Sequence, residues 1–110
     1  MNNKIAIITG AAGGIGSAIT KELLNNEIFC VCVDINKKAL AGLQKHYGAN
    51  IVTLYCDITN PESVKGMVQS VVKKCGGFDI LINNAGIIEP NLFEHVSYNE
   101  IVRQVQVNLM

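Results

Sequence analysis

The stretch Thr9-Gly10-Ala11-Ala12-Gly13-Gly14-Ile15-Gly16 decides the reading of the fold. It stands where an apolar run from Lys4 to Thr9 ends and an amphipathic segment begins, with Ile15, Ala18, Ile19 and Leu23 at helical spacing. Glycines at 10, 14 and 16 allow a sharp turn, a close approach by a ligand, and tight packing of a helix on a strand. A helix opening at such a turn presents unpaired N–H groups and partial positive charge, a setting that favours a pyrophosphate.

Working outward, the chain repeats this unit. Ile28 to Val33 is a second apolar strand ending at Asp34, followed by a helix from about Lys37 to Tyr47 that Gly48 stops. Ile51 to Tyr55 is a third strand, leading to Cys56 and Asp57. Asn60 or Thr59 caps the next helix, Pro61 takes its first position, and Gly76-Gly77 breaks it. Phe78 to Ile82 is a fourth strand, ending in Asn83-Asn84-Ala85-Gly86 and a polar loop with Pro90. Ser97-Tyr98-Asn99-Glu100 reads as a capping box. With Ile101, Val102, Val105 and Leu109 it predicts a last helix, although Val105, Val107 and Leu109 also alternate with Gln106 and Asn108 as a strand would.

Strands apolar on both faces, alternating with helices, predict an α/β doubly wound parallel sheet. Right-handed crossovers give the strand order 3-2-1-4, with strands 1 and 4 adjacent. Ligands in such sheets bind beyond the carboxyl ends of the strands, and the polar stretches after strands 1 to 4 fall at that edge. Asp34, about twenty residues past the glycine turn, is placed to accept from an adenosine ribose and to repel a 2′-phosphate, which favours NAD over NADP. Lys37 and Lys38 stand nearby as an offsetting charge, while Gly13 brings no base to the turn.

Composition narrows the classes. Of 110 residues, 49% are hydrophobic and 16% charged, which describes one globular domain rather than a disordered segment. A formal net charge of zero provides no footprint for nucleic acid or an anionic membrane. Met1-Asn2-Asn3-Lys4 and the run after it lack the features of a signal peptide, and no run has transmembrane length, so the cytoplasm is expected. Cys30, Cys32, Cys56 and Cys75 contain no C-x-x-C pair and read as free thiols in a reducing compartment, with no metal site.

The glycine spacing is G-x-x-x-G-x-G, and with Asp34, Asp57 and Asn83-Asn84-Ala85-Gly86 the whole chain resembles the N-terminal half of the short-chain dehydrogenase/reductase family. The resemblance implies a Rossmann-like domain over residues 1–110, ending after about four strands. It implies that Gly10, Ala12, Gly14, Ile15 and Gly16 line the pyrophosphate, that Asp34 and Ile35 meet the ribose, and that Asp57 and Ile58 meet the adenine. Asn83 is implied to stabilise its strand, and Asn84, Ala85 and Gly86 to neighbour the cofactor. Asn108 corresponds to a helix asparagine of the family's catalytic set, which holds a water in a proton relay.

The family's tyrosine carries a lysine four residues on. Here the residues four after Tyr47, Tyr55 and Tyr98 are Ile51, Thr59 and Val102. Expected, then, is the cofactor half of an NAD-dependent oxidoreductase acting on an alcohol or carbonyl substrate, inactive as an isolated chain. The alternatives are a catalytically silent nucleotide-binding or interaction module, or a truncated gene product without function. Strand 4 ending the sheet would leave Ile80-Leu81-Ile82 as an apolar edge, predicting an oligomer or a complementing half.

Overall fold

The computed structural model describes residues 4–84 and 106–108. Its elements are β1 (Ile5–Thr9), α1 (Gly14–Asn25), β2 (Phe29–Asp34), α2 (Lys37–Tyr47), a single 3-10 turn (Gly48–Asn50), β3 (Ile51–Tyr55), α3 (Pro61–Cys75), β4 (Ile80–Asn83) and β5 (Gln106–Asn108). All the strand pairs are parallel, in the order β3-β2-β1-β4-β5. The expected α/β sheet with order 3-2-1-4 is therefore present, extended by one short strand.

Strands β1 to β4 alternate between two apolar layers, which explains why they read as unbroken hydrophobic runs. Ile7, Val31, Val33 and Leu81 pack with Val64, Met67, Val68 and Val71 of α3 and with Phe78. Ile8, Cys30, Cys32 and Ile82 face the opposite way, against Leu40 and Leu43 of α2 and Ile19 and Leu23 of α1. Helices cover both faces, as double winding requires.

Local chemistry sets the helix ends. The Asn60 side chain accepts from Glu62 N at 3.0 Å and Ser63 N at 3.3 Å, with Pro61 first in α3, and Gly76 closes it in the left-handed region at φ 82°. Asn36 caps α2 by accepting from Ala39 N at 3.0 Å. Helix α1 differs: it starts on Gly13, with no side-chain cap.

Two expectations change at the far edge. Residues 106–108 form a strand rather than the end of a helix, pairing Leu81 with Gln106, Ile82 with Val107 and Asn83 with Asn108. The alternating pattern prevails there because β4 offers a row of unpaired backbone groups that a parallel segment satisfies. For the same reason β4 is not the sheet's edge, and the assembly argued from its exposure loses that basis. The proposed capping box at residues 97–100 lies outside the described residues.

All four cysteines are free, and Cys30, Cys32 and Cys56 are buried. Burial pushes the Cys30 thiol up to about 12 and the Cys32 thiol up to about 11. Because the thiolate is the nucleophile, these groups are shielded twice, by packing and by protonation. In the folded chain at pH 8, a disulfide exchange reagent such as DTNB should react first at half-buried Cys75, and at all four thiols only after denaturation. Fast labelling of Cys30 or Cys32 without denaturant would contradict this packing.

Candidate dinucleotide site

The carboxyl ends of β1, β2, β3 and β4 converge on one edge of the sheet, and the glycine turn sits at its centre. Gly10 leaves β1 with φ 64°, a conformation that disfavours a side chain. Ala11 N donates to Val33 O at 3.1 Å, fastening the turn to β2, and the Ser17 hydroxyl donates to Ala11 O at 3.2 Å. A Cβ on Gly16 would run into the Gly10 carbonyl oxygen and lie 2.8 Å from Ala11 Cα. Helix α1 therefore seats directly on the turn only because position 16 has no side chain. A Cβ on Gly14, by contrast, would meet nothing within 4 Å. Gly14 faces open space at an uncapped helix N-terminus, leaving room for a ligand that a larger side chain would fill.

The next strand tip carries Asp34. Its Oδ2 accepts from Ala12 N at 3.0 Å and its Oδ1 from Asn36 N at 3.0 Å. Beyond it, Asp34, Ile35, Cys56, Asp57, Ile58 and Thr59 join Gly10 and Val33 around a cavity of about 190 Å³. Four of the residues assigned from the sequence, Asp34, Ile35, Asp57 and Ile58, thus share one cleft with the start of the glycine turn. Ile15 is 68% exposed and Ile35 57%, so apolar side chains border this edge uncovered. The Lys37 ammonium stands 4.8 Å from the centre of the Tyr55 ring, so this offsetting base is engaged by an aromatic face.

Asp57 is organised by its own loop. Its Oδ1 accepts from the Thr59 hydroxyl at 2.6 Å and from Thr59 N at 3.0 Å, and these bonds hold its carboxyl below the usual range. Asp57 N donates to Ser63 Oγ at 3.0 Å, and that hydroxyl lies 3.6 Å from Cys56 Sγ. Burial pushes the Cys56 thiol up.

At the β1–β4 junction the buried Thr9 hydroxyl donates to Asn83 Oδ1 at 2.9 Å and accepts from Asn84 N at 3.0 Å. Asn84 Nδ2 in turn donates to Gly10 O at 3.2 Å. Asn83 is fully buried, and its Nδ2 meets no hydrogen-bond partner among the described residues. Asn84 is thereby brought to the glycine turn, and Asn83 to the strand junction. Asn108 lies on β5 in register with Asn83, not on a helix. Ala85 and Gly86 lie outside the described residues.

Sequence reasoning missed Thr9, Ser17, Thr59 and Ser63 as supports of the site. Only the Asp57-x-Thr59 spacing carried a signal, since such pairs recur where a side chain bonds the backbone two residues on. Among the described residues no group of three or more His, Cys, Asp or Glu is arranged to hold a metal. No described helix is long and apolar enough to cross a membrane.

Comparison with known proteins agrees with this fold. A family model described as short chain dehydrogenase matches residues 4–110. Over 109 residues the chain is 38% identical to 3beta-hydroxysteroid dehydrogenase 2 of Eggerthella lenta, covering 94% of this chain and 42% of that protein. It is 32% identical to the 3-oxoacyl-(acyl-carrier-protein) reductase FabG of Haemophilus influenzae, covering 99% and 45%. The crystal structure of a short-chain dehydrogenase from Streptomyces avermitilis superposes with a TM-score of 0.71 at 27% identity, over 77% of this chain and 31% of that one. The chain spans less than half the length of these relatives.

Gly14 and Gly16 make opposite predictions for the free chain. Gly16→Ala should lower unfolding free energy by about 1–3 kcal/mol, the usual cost of overpacking. Gly14→Ala should leave stability equal or raise it by up to about 1 kcal/mol, because alanine suits a helix better and meets no atoms. Urea denaturation of both variants checks this, and equal effects would contradict the seating of α1.

Proposed function

This chain belongs to the short-chain dehydrogenase family, and we propose that its carboxyl-edge cleft binds NAD as the cofactor half of an oxidoreductase acting on an alcohol or carbonyl substrate. The observation that carries this reading is the meeting of Asp34, Ile35, Asp57 and Ile58 with the glycine turn at one edge. The fit of the group is supported by the uncapped N-terminus of α1 and the open space at Gly14, where phosphates would meet N–H groups and no side chain.

When bound, the nicotinamide cofactor supplies the hydride chemistry, and the protein supplies position and electrostatics. Gly10, Ala12, Gly14, Ile15 and Gly16 line the diphosphate. The Asp34 carboxylate accepts from the ribose hydroxyls, and its charge opposes a 2′-phosphate, favouring NAD over NADP. Ile35 meets the ribose beside Asp34, Ile58 offers apolar contact to the adenine, and Asp57 an acceptor beside it. Asn84 borders the cofactor from the β4 side, and Ala85 and Gly86 are assigned to the cofactor by the family resemblance alone. By family resemblance alone, Asn108 is assigned a water-holding relay position.

General acid–base transfer needs a group tuned toward working pH. No tyrosine of this sequence is followed by a lysine four residues later. The reading therefore assigns these 110 residues cofactor binding and positioning, without proton transfer to substrate. The names of the relatives, a hydroxysteroid dehydrogenase and an oxoacyl reductase, favour a secondary alcohol or its ketone as the substrate class. Four free thiols suit a reducing compartment such as the cytoplasm.

In titration calorimetry the chain should bind NAD and bind NADP about tenfold more weakly or worse. Gly14→Val, whose side chain meets no protein atoms near its Cβ but fills the phosphate path, should abolish binding while leaving the fold intact. Retained affinity in that folded variant would refute the pocket. The isolated chain should also show no NAD-linked turnover of secondary alcohols by absorbance at the reduced-cofactor band.

A further inference from the structure

Both oxygens of the Asp34 carboxylate are engaged by backbone donors before any ligand arrives. Oδ2 accepts from Ala12 N at 3.0 Å, a bond across 22 residues, and Oδ1 accepts from Asn36 N at 3.0 Å. The main chain of the same residue is tied in as well, since Cys56 N donates to Asp34 O at 3.1 Å. One residue thus joins the connections that follow β1, β2 and β3, which together border the cleft.

The bond to Ala12 matters because of what surrounds it. Ala11 is buried and fastened to Val33 and Ser17, but Ala12 to Gly14 are half-buried to exposed and carry one methyl group among them, so little packing holds that part of the turn, and glycine-rich backbone has the most freedom to lose. A hydrogen bond from an N–H to a carboxylate is among the stronger restraints available to such a segment. Each carboxylate oxygen has two acceptor sites, so one remains on each for a ribose hydroxyl.

We infer that Asp34 is a positioning residue for the glycine turn, holding Ala12 in the conformation the diphosphate needs while presenting a fixed charge to the ribose. The inference rests on the nucleotide reading of the cleft. It also sharpens the basis of selectivity: a carboxylate held at both oxygens is not free to rotate away from a 2′-phosphate. An amide at this position has one acceptor oxygen and turns its NH₂ toward the other backbone donor. Asp34→Asn therefore breaks one of the two restraints despite its matching shape.

Two measurements on the 110-residue chain test this. The first is amide hydrogen exchange of the ligand-free chain. Asp34→Ala and Asp34→Asn should each accelerate exchange at Ala12 or at Asn36, with Asp34→Ala accelerating both by about tenfold or more, while the Val31 and Val68 amides stay protected. The second is calorimetry with ADP and with 2′,3′-dideoxy-ADP, which has no ribose hydroxyls to donate. A positioning role predicts that Asp34→Ala weakens 2′,3′-dideoxy-ADP by about tenfold or more, and ADP by at least that factor because its ribose acceptor is lost as well. Unchanged Ala12 exchange in Asp34→Ala, or a loss confined to ADP, would overturn it and leave Asp34 as a ribose acceptor alone. Failure of the unsubstituted chain to bind either nucleotide would overturn the cleft reading and the ligand-positioning role together, and accelerated Ala12 exchange would then locate the fault in the site rather than in the restraint.

Discussion

At Gly16 the backbone of α1 comes so close to the Gly10 carbonyl and Ala11 Cα that no Cβ fits between them. Most of the carboxyl edge depends on this contact. It sets where α1 begins, so that the uncapped N-terminus opens at the end of β1 rather than deeper in the layer above the sheet. It also lets Ile19 and Leu23 reach the layer formed by Ile8, Cys30, Cys32 and Ile82. A larger residue at 16 would have to lift the helix off the turn, trading buried apolar area for space.

Around that contact the edge is held by polar groups acting between strands. The Thr9 hydroxyl spans β1 and β4, and Asn84 returns a bond to Gly10 O. Asp34 spans β2 and the glycine turn, and Asp57 folds its own loop through Thr59. Apolar burial thus supports the middle of the sheet, while directional bonds shape the end where a ligand would sit. This division is the one expected of a rigid scaffold that carries its function on loops.

The sheet was legible because every central strand is buried on both faces, which writes it as an apolar run without alternation. Helix limits were legible at Asn60, Pro61, Gly48 and Gly76, where one residue type has a direct conformational reason to be present. β5 was not. Gln106 to Asn108 fits two periods equally, and the choice was made by the free edge of β4, a tertiary fact that a local pattern does not contain.

In the site, the strand order placed the stretches after β2 and β3 at one edge, and the family resemblance singled out Ile35, Asp57 and Ile58 beside Asp34. The partner of each polar atom stayed hidden. That Asp34 bonds Ala12, or that Thr9 bonds Asn83 across 74 residues, follows only from how parallel strands come into register.

The carboxyl edge, and not the amino edge, is the proposed nucleotide site. The amino edge has its own cavity of about 330 Å³, lined by Leu24, Glu27, Ile28, Phe29, Ala49 and Asn50. Backbone amide shift mapping by NMR during titration with NAD separates the two directly. Perturbations concentrated at Gly10 to Gly16, Asp34, Ile35 and Asp57 to Thr59, with Leu24, Glu27, Phe29 and Asn50 unmoved, are the predicted result. Shifts centred on the amino-edge residues, with a silent glycine turn, would contradict it.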